Sequence, residues 1–123
     1  MIVEHKWLAD HLDDKNLVIV DARGFIPYSY AHIPNSIPLG IERVIRMANN
    51  GASAVIDVAN AEKLFGNIGI DHDKKVIVYG ESIDPSVARI LWTLLYYGHK
   101  DANMLDIGFM AWQKLGCLLQ GSR

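Results

Sequence analysis

The residues of this chain that could do chemistry stand mostly where predicted strands end. Asp21 and Arg23 directly follow the apolar run of residues 17–20, and the loop 80–85 follows a second apolar run, residues 75–79. Open α/β sheets bind ligands outside the carboxyl ends of their strands. Asp21 and Arg23 are therefore predicted either to form a local ion pair that organises the loop or to be the remnant of an anion site.

The side chains suited to nucleophilic or metal chemistry are sparse. The one cysteine, Cys117, follows Gly116 beyond the last predicted helix, and a small apolar packing role is expected of it. His5 and His11 lie six positions apart, and His72 sits in a polar turn, so no set of ligands has the close spacing that a metal site needs. The sequence predicts no metal and no cofactor.

Composition narrows the class of protein. A chain of 123 residues, half of them apolar, is long enough for one packed domain, here taken as residues 1–123. The net charge is -2 and the basic residues are dispersed, which argues against nucleic acid and anionic membranes as partners. No apolar stretch has the roughly 18 residues that a bilayer span requires. A single cysteine fits a cytoplasmic protein.

The elements that would position these residues alternate between helical and extended patterns. Helices are predicted where apolar residues share one face, and strands where β-branched residues run together. This alternation predicts an α/β fold with a mainly parallel central sheet flanked by helices. The predicted helices are 4–12, 27–32, 41–47, 58–68, 85–97 and 109–115, and the predicted strands are 17–20, 37–39, 75–79 and 103–105.

Two of these helices carry specific expectations. Proline suits the first position of a helix, which predicts starts at Pro27 and at Pro85. The residues of helix 85–97 expected to face the core are Val87, Ile90, Leu91, Leu94 and Leu95.

One segment after the first strand has a distinctive order of residues. Tyr28, His32 and Pro34 stand in the sequence Tyr-x-x-x-His-Ile-Pro-Asn-Ser, which resembles the Tyr-x-x-x-His-Ile-Pro-Gly-Ala signature of the rhodanese family of sulfurtransferases. Asn35 replaces the glycine, and asparagine tolerates the left-handed backbone that glycine would supply. Segments 64–70, 88–99 and 104–112 also resemble parts of the family, so the resemblance covers nearly the whole chain.

The resemblance implies a rhodanese-like fold and a structural motif. The residues of this motif lie at the carboxyl end of the first predicted strand and in the turn that follows it. They are Asp21, Arg23, Tyr28, His32 and Pro34. In this reading His32 holds a turn by hydrogen bonding and performs no chemistry.

The resemblance also shows a departure from the family's chemistry. Active members place a cysteine thiolate at the carboxyl end of the central strand, where loop amides stabilise negative charge and the thiolate carries sulfane sulfur as a persulfide. Gly80 stands at that position here, so no catalytic residue is predicted. The loop is therefore degenerate, and it consists of Gly80, Glu81, Ser82, Ile83, Asp84 and Pro85. Its two carboxylates add negative charge where an anionic donor would bind.

Three classes of function stay open at this point. Segment 92–99 is nearer to the amino-terminal half of two-domain rhodaneses, which implies an inactive half of a thiosulfate or 3-mercaptopyruvate sulfurtransferase. Its partner would be a C-terminal catalytic rhodanese domain in the same polypeptide, covering exposed aromatics such as Phe25 or Tyr30. The alternatives are a free-standing inactive rhodanese-like binding or regulatory module, and a receiver-like doubly wound domain that uses Asp21.

Overall fold

The computed structural model describes residues 2–40, 63, 65–67, 69–71, 73–82 and 85–116. The strands in these residues are β1 (Ile2–Val3), β2 (Leu17–Asp21), β3 (Ser36–Pro38), β4 (Lys75–Tyr79) and β5 (Ala102–Leu105). The helices with described bounds are α1 (His5–Asp10), α2 (Phe25–Tyr30), α3 (Pro85–Tyr96) and α4 (Phe109–Lys114). The strands form one sheet in the order β1-β5-β4-β2-β3.

Every neighbouring pair of strands in this sheet is parallel; β4 is the middle strand and β2 lies beside it, so both are inside the sheet. Both central strands are near-continuous apolar runs, as expected of parallel strands that are covered on both faces. Their register pairs Leu17 with Lys75 and Asp21 with Tyr79. The carboxyl ends of β2 and β4 therefore lie side by side.

The two faces of the sheet have separate cores because side chains alternate along each strand. On one face, Val18, Val20, Val76 and Val78 pack with buried residues of α3. On the other face, alternate residues of the same strands pack with α1 and α4, and this cluster contains Leu8, Ile19, Ile77, Tyr79, Phe109 and Trp112. The α/β fold with a parallel sheet is confirmed.

Several boundaries differ from the sequence predictions. The helix predicted to begin at Pro27 begins at Phe25, because Gly24 turns the chain with a φ of 97° and leaves proline in the first turn. Proline is tolerated there because first-turn N–H groups have no intrahelical partner. Strand β1 was not predicted, since two residues carry no measurable period. The helix predicted at 41–47 lies outside the described residues, as do 58–62, Leu64 and Ile68 of the next one.

Helix α3 confirms most of its predicted inner face. Val87, Ile90 and Leu94 are buried, but Leu95 is 45% exposed, so that assignment was wrong. Leu95 lies about 100° around the helix from Leu94 and faces away from the sheet. Thr93 is fully buried instead, and its hydroxyl donates to the carbonyl oxygen of Arg89 at 2.8 Å.

No helix within the described ranges is long and apolar enough to cross a membrane.

Candidate functional site

The candidate site lies at the carboxyl ends of β2 and β4. Because Asp21 pairs with Tyr79 in the register of these strands, the residues that follow each strand meet at one edge of the sheet. We call the group formed by Asp21, Arg23, Tyr79 and the loop residues Gly80–Ser82 the carboxyl-edge site. Ile83 and Asp84 of the predicted loop lie outside the described residues, and Pro85 is the first residue of α3.

Asp21 and Arg23 form a buried ion pair. Nε of Arg23 donates to Oδ1 of Asp21 at 3.0 Å, and Nη2 donates to Oδ2 at 2.7 Å. The backbone N–H of Arg23 also donates to Oδ1, and Nη2 reaches the carbonyl oxygen of Ala31 at 2.7 Å. This two-point geometry is the strong form of a carboxylate–guanidinium contact. The pair joins the end of β2 to the end of α2.

Burial and charge act in opposite directions on Arg23. Burial by itself lowers the pKa of the guanidinium, but the hydrogen bond and the negative charge of Asp21 more than offset it, and the pKa of Arg23 is raised. Arg23 is therefore a permanent cation at this edge of the sheet, although its side chain is only 7% exposed.

Tyr79 connects the ion pair to the turn that follows α2. Its hydroxyl donates to Oδ2 of Asp21 at 2.9 Å and accepts the backbone N–H of Ile33 at 3.2 Å. The hydroxyl of Ser36 lies 3.0 Å away and, since the tyrosine proton is already donated, supplies its own. Burial first, and then the charge of Asp21, raise the pKa of Tyr79 far above its ordinary value. Tyr79 is thus a neutral donor that holds three segments together.

The motif residues Tyr28 and His32 hold the same turn. Their rings stack with centroids 3.7 Å apart, and Nδ1 of His32 lies 2.7 Å from the carbonyl oxygen of Tyr28, which requires a proton on Nδ1. The hydroxyl of Tyr28 donates to the carbonyl oxygen of Ser36 at 2.8 Å. Asn35 adopts a φ of 68°, the left-handed backbone expected from its type. Pro34, between His32 and Asn35, is partly buried.

The loop after β4 is held by the start of α4. The backbone N–H of Phe109 donates to the carbonyl oxygen of Gly80 at 2.8 Å. The backbone N–H of Met110 donates to the carbonyl oxygen of Glu81 at 3.3 Å. Gly108 lies so close that a β-carbon on it would overlap Cα of Ser82 and the carbonyl oxygen of Glu81. The loop can take this path only because residue 108 has no side chain.

Replacing Gly108 by alanine should lower the free energy of unfolding by about 1–3 kcal/mol, because the loop or α4 must move to make room for the methyl group. The φ of Gly108 is -87°, so backbone strain does not contribute. Urea unfolding measures the change. Gly66→Ala is the matched control, since nothing lies within 4 Å of that position and the residue is helical. Alanine there should be neutral or stabilise by up to about 1 kcal/mol, and equal effects of the two substitutions would contradict the proposed crowding.

Glu81 is the charged side chain of the described part of the loop. Its Oε1 lies 3.6 Å from Nη1 of Arg23, and its side chain is 52% exposed. The guanidinium in turn lies over the ring of Phe109, with Cζ 4.0 Å from the centroid. The sequence analysis took Glu81 only as added negative charge in this loop, and the structure places its carboxylate near the cation of Arg23.

The remaining candidates fall elsewhere. Cys117 and His72 lie outside the described residues. His5 contacts the carboxylate of Asp106 through Nδ1 at 3.2 Å, and His11 contacts the carbonyl oxygen of Trp7. In the part of the chain with described side chains, no three histidine, cysteine or acidic groups come together in a way that could hold a metal.

Sequence reasoning missed Tyr79, Gly108 and Phe109. Tyr79 ends an apolar strand and was interpreted only as part of it. The signal for Gly108 was available in the segment Asp106-Ile107-Gly108, where a glycine between a strand and a helix indicates a close approach of backbone.

Comparison with known proteins agrees with this geometry. The family model described as a rhodanese-like domain matches residues 4–115. The chain belongs to this family. It is 29% identical to the 3-mercaptopyruvate sulfurtransferase of Escherichia coli (strain K12), over 93% of this chain and 44% of that protein. It is 27% identical to the thiosulfate sulfurtransferase of Rattus norvegicus, over 94% of this chain and 43% of that protein.

A solved structure gives the same result for the fold. The crystal structure of a 3-mercaptopyruvate sulfotransferase from Escherichia coli superposes with a TM-score of 0.85 at 28% identity, and the match covers 98% of this chain and 50% of that one. In each of these comparisons the chain spans half or less of the protein that it matches.

Proposed function

We propose that this chain is a non-catalytic half of a two-domain sulfurtransferase of the thiosulfate or 3-mercaptopyruvate type, with residues 1–123 forming one rhodanese-like domain. The observation that carries the proposal is Gly80 at the carboxyl end of β4, where the family's reaction needs a thiolate. Sulfane sulfur would be carried as a cysteine persulfide in a C-terminal catalytic rhodanese domain of the same polypeptide.

The chemistry of the carboxyl-edge site supports this assignment. Sulfane sulfur transfer requires a thiolate, which attacks sulfur and carries it as a persulfide. The described side chains at this edge offer a guanidinium, carboxylates and hydroxyls, and hydroxyls do not form persulfides. The chain has one cysteine, Cys117, and its position is 37 residues away in sequence from Gly80. The loop thus has the family's position without the family's nucleophile.

The length of the relatives supports a second domain. The two curated sulfurtransferases are more than twice as long as the part that this chain matches. We also propose a cytoplasmic location, which fits the single cysteine of this chain.

An exposed apolar face on α2 supports a partner. Phe25, Ile26 and Tyr30 are 68%, 70% and 70% exposed, although α2 has only six residues. We call these three side chains the α2 face. Apolar side chains gathered on a surface commonly mark a site of contact with another domain or protein. The α2 face begins two residues after Arg23, at the same edge of the sheet as the degenerate loop.

The first test is the coding sequence that contains this chain. We expect it to encode a second rhodanese-like segment, with a His-Ile-Pro motif and a cysteine at the place that corresponds to Gly80. A reading frame without such a segment would overturn the tandem assignment in favour of a free-standing rhodanese-like module, which the α2 face would also serve.

A second test uses the α2 face itself. The double substitution Phe25→Ser and Tyr30→Ser should change the free energy of unfolding of this domain alone by no more than about 0.5 kcal/mol, because both side chains are exposed. In the two-domain polypeptide the same change should lower the midpoint of thermal unfolding or separate it into two transitions. Leu115→Ser is the control, since Leu115 is also exposed, at 59%, but lies at the end of α4. Identical behaviour of the two variants in the longer protein would show that α2 is not covered.

A further inference from the structure

Helix α3 is apolar on both of its sides. Its inner side packs against the sheet through the buried residues described above. Its exposed residues are Pro85, Ala88, Trp92, Leu95 and Tyr96, so the side chains that it presents to solvent bear no charge. Helices α1 and α4 differ, because each of them exposes at least one charged side chain. A helix that is apolar all round is normally covered on all sides.

Four of these residues form one surface, which we call the α3 stripe: Ala88, Trp92, Leu95 and Tyr96. They are three or four positions apart, so they lie next to one another on the helix. Trp92 is 49% exposed and Tyr96 is 62% exposed. Their rings stack with centroids 5.3 Å apart, and Tyr96 also meets the ring of Tyr97 edge-on at 5.0 Å. Rings that are already held by neighbours lose little freedom on binding, and Trp and Tyr often dominate the energy of an interface.

The α3 stripe is separate from the α2 face. Helix α3 begins at Pro85, soon after the carboxyl end of β4, and ends soon before β5 starts beside Val76 of β4. It therefore runs from the carboxyl edge of the sheet to the opposite edge. At 1.5 Å per residue, Trp92 and Tyr96 lie about 10 and 16 Å along the helix from Pro85. A domain that covers α2 at the carboxyl edge thus leaves the aromatic end of α3 to another partner.

The shape and charge of the α3 stripe fit a second copy of itself. In a two-fold contact the same surface meets itself, so a charged stripe would repel its copy, whereas this one does not. Suppose that two α3 helices cross in opposite directions with the two-fold axis at Trp92. Each Tyr96 then lies opposite Ala88 of the other copy, because these residues are four positions after and before the axis. A large ring therefore faces a small side chain, which allows close packing.

We propose that the α3 stripe is a self-association surface, through which two copies of this chain pair with their α3 helices antiparallel. One helix of twelve residues, about 18 Å long, offers less area than the roughly 800 Å² per partner of a standard interface. The pairing is therefore weak and reversible. It does not depend on a second domain, so its failure would leave the tandem assignment untouched.

The test is sedimentation of the chain between about 10 μM and 1 mM, the range in which so small an interface associates. The weight-average mass should rise from 13.7 kDa toward twice that value. Tyr96→Lys should weaken the association by about tenfold or more, because it places a cation in each half of an apolar contact. A chain that stays monomeric at the highest concentration would overturn the proposal and leave the stripe to a different protein or domain.

Tyr30→Lys is the matched control. Tyr30 lies on α2 and is 70% exposed, so its replacement makes the same change of size and charge at the α2 face. It should leave the association unchanged, and an equal loss in the two variants would overturn the proposal. A measurement on the original chain needs no variant. Its α3 amide signals should shift with concentration in NMR spectra and its α2 amide signals should not, and the reverse pattern would count against the α3 contact.

A mixture of two variants tests the antiparallel order. When Ala88→Glu is mixed with Tyr96→Lys, the introduced carboxylate of one chain lies opposite the introduced amine of the other. The second Ala88–Tyr96 contact of the pair stays as in the original chain. The mixture should therefore associate at least about threefold more tightly than either variant alone. A mixture no tighter than its components would rule out the antiparallel pairing.

Discussion

The purified chain should form thiocyanate from thiosulfate and cyanide no faster than its own Cys117→Ser variant. The reaction needs a thiolate at the carboxyl end of the central strand, and Gly80 stands there. Without that nucleophile no persulfide forms, so we expect the rate to equal the uncatalysed background rather than a reduced enzymatic rate. An active thiosulfate sulfurtransferase assayed in parallel shows that the assay can detect turnover.

Cys117 is the residue that could overturn this expectation. Thiocyanate formation that disappears in Cys117→Ser would mean that the nucleophile lies outside the loop after β4 and that this domain is an enzyme in its own right. Activity that persists in Cys117→Ser would point to a contaminating sulfurtransferase, because that variant has no thiol.

Breaking the buried ion pair should have the largest effect on stability. Arg23→Met removes the cation and leaves the carboxylate of Asp21, which is fully buried, without its charge partner. Removing one member of such a pair costs about 3–5 kcal/mol, because the remaining charge stays desolvated. Urea unfolding followed by circular dichroism measures the loss. The variant should unfold at a clearly lower urea concentration than the original chain.

An exposed ion pair of this protein provides the comparison. Nζ of Lys75 lies 3.3 Å from Oδ1 of Asp101, with side chains 33% and 53% exposed. Lys75→Met should therefore cost only about 0–1 kcal/mol. The double variant Asp21→Leu, Arg23→Met should be more stable than Arg23→Met alone, since it leaves no charge without a partner. If Arg23→Met and Lys75→Met cost the same, the Asp21–Arg23 pair does not organise the edge of the sheet.

The sequence by itself determined the class of fold and the identity of the residue that follows the central strand. Strands β2 and β4 are apolar β-branched runs, and such a pattern depends only on neighbours in sequence, so both were located to within one residue. The motif from Tyr28 to Pro34 indicated the family, and the identity of residue 80 is a matter of sequence alone. Helix α3 began at Pro85 as predicted, because the local preference of proline for a first turn needs no tertiary contact.

The tertiary structure decided which polar groups meet at the edge of the sheet. The hydroxyl of Tyr79 reaches Asp21, 58 residues earlier, because β2 and β4 are neighbours, and a local pattern does not specify strand order. Gly108 contacts Ser82 for the same reason, across β4 and β5. The carboxylate of Glu81 lies near the guanidinium of Arg23 because the segment after β2 and the loop after β4 come together. Local periodicity reports which face of an element is buried, but contacts between distant residues depend on how the elements are arranged in space.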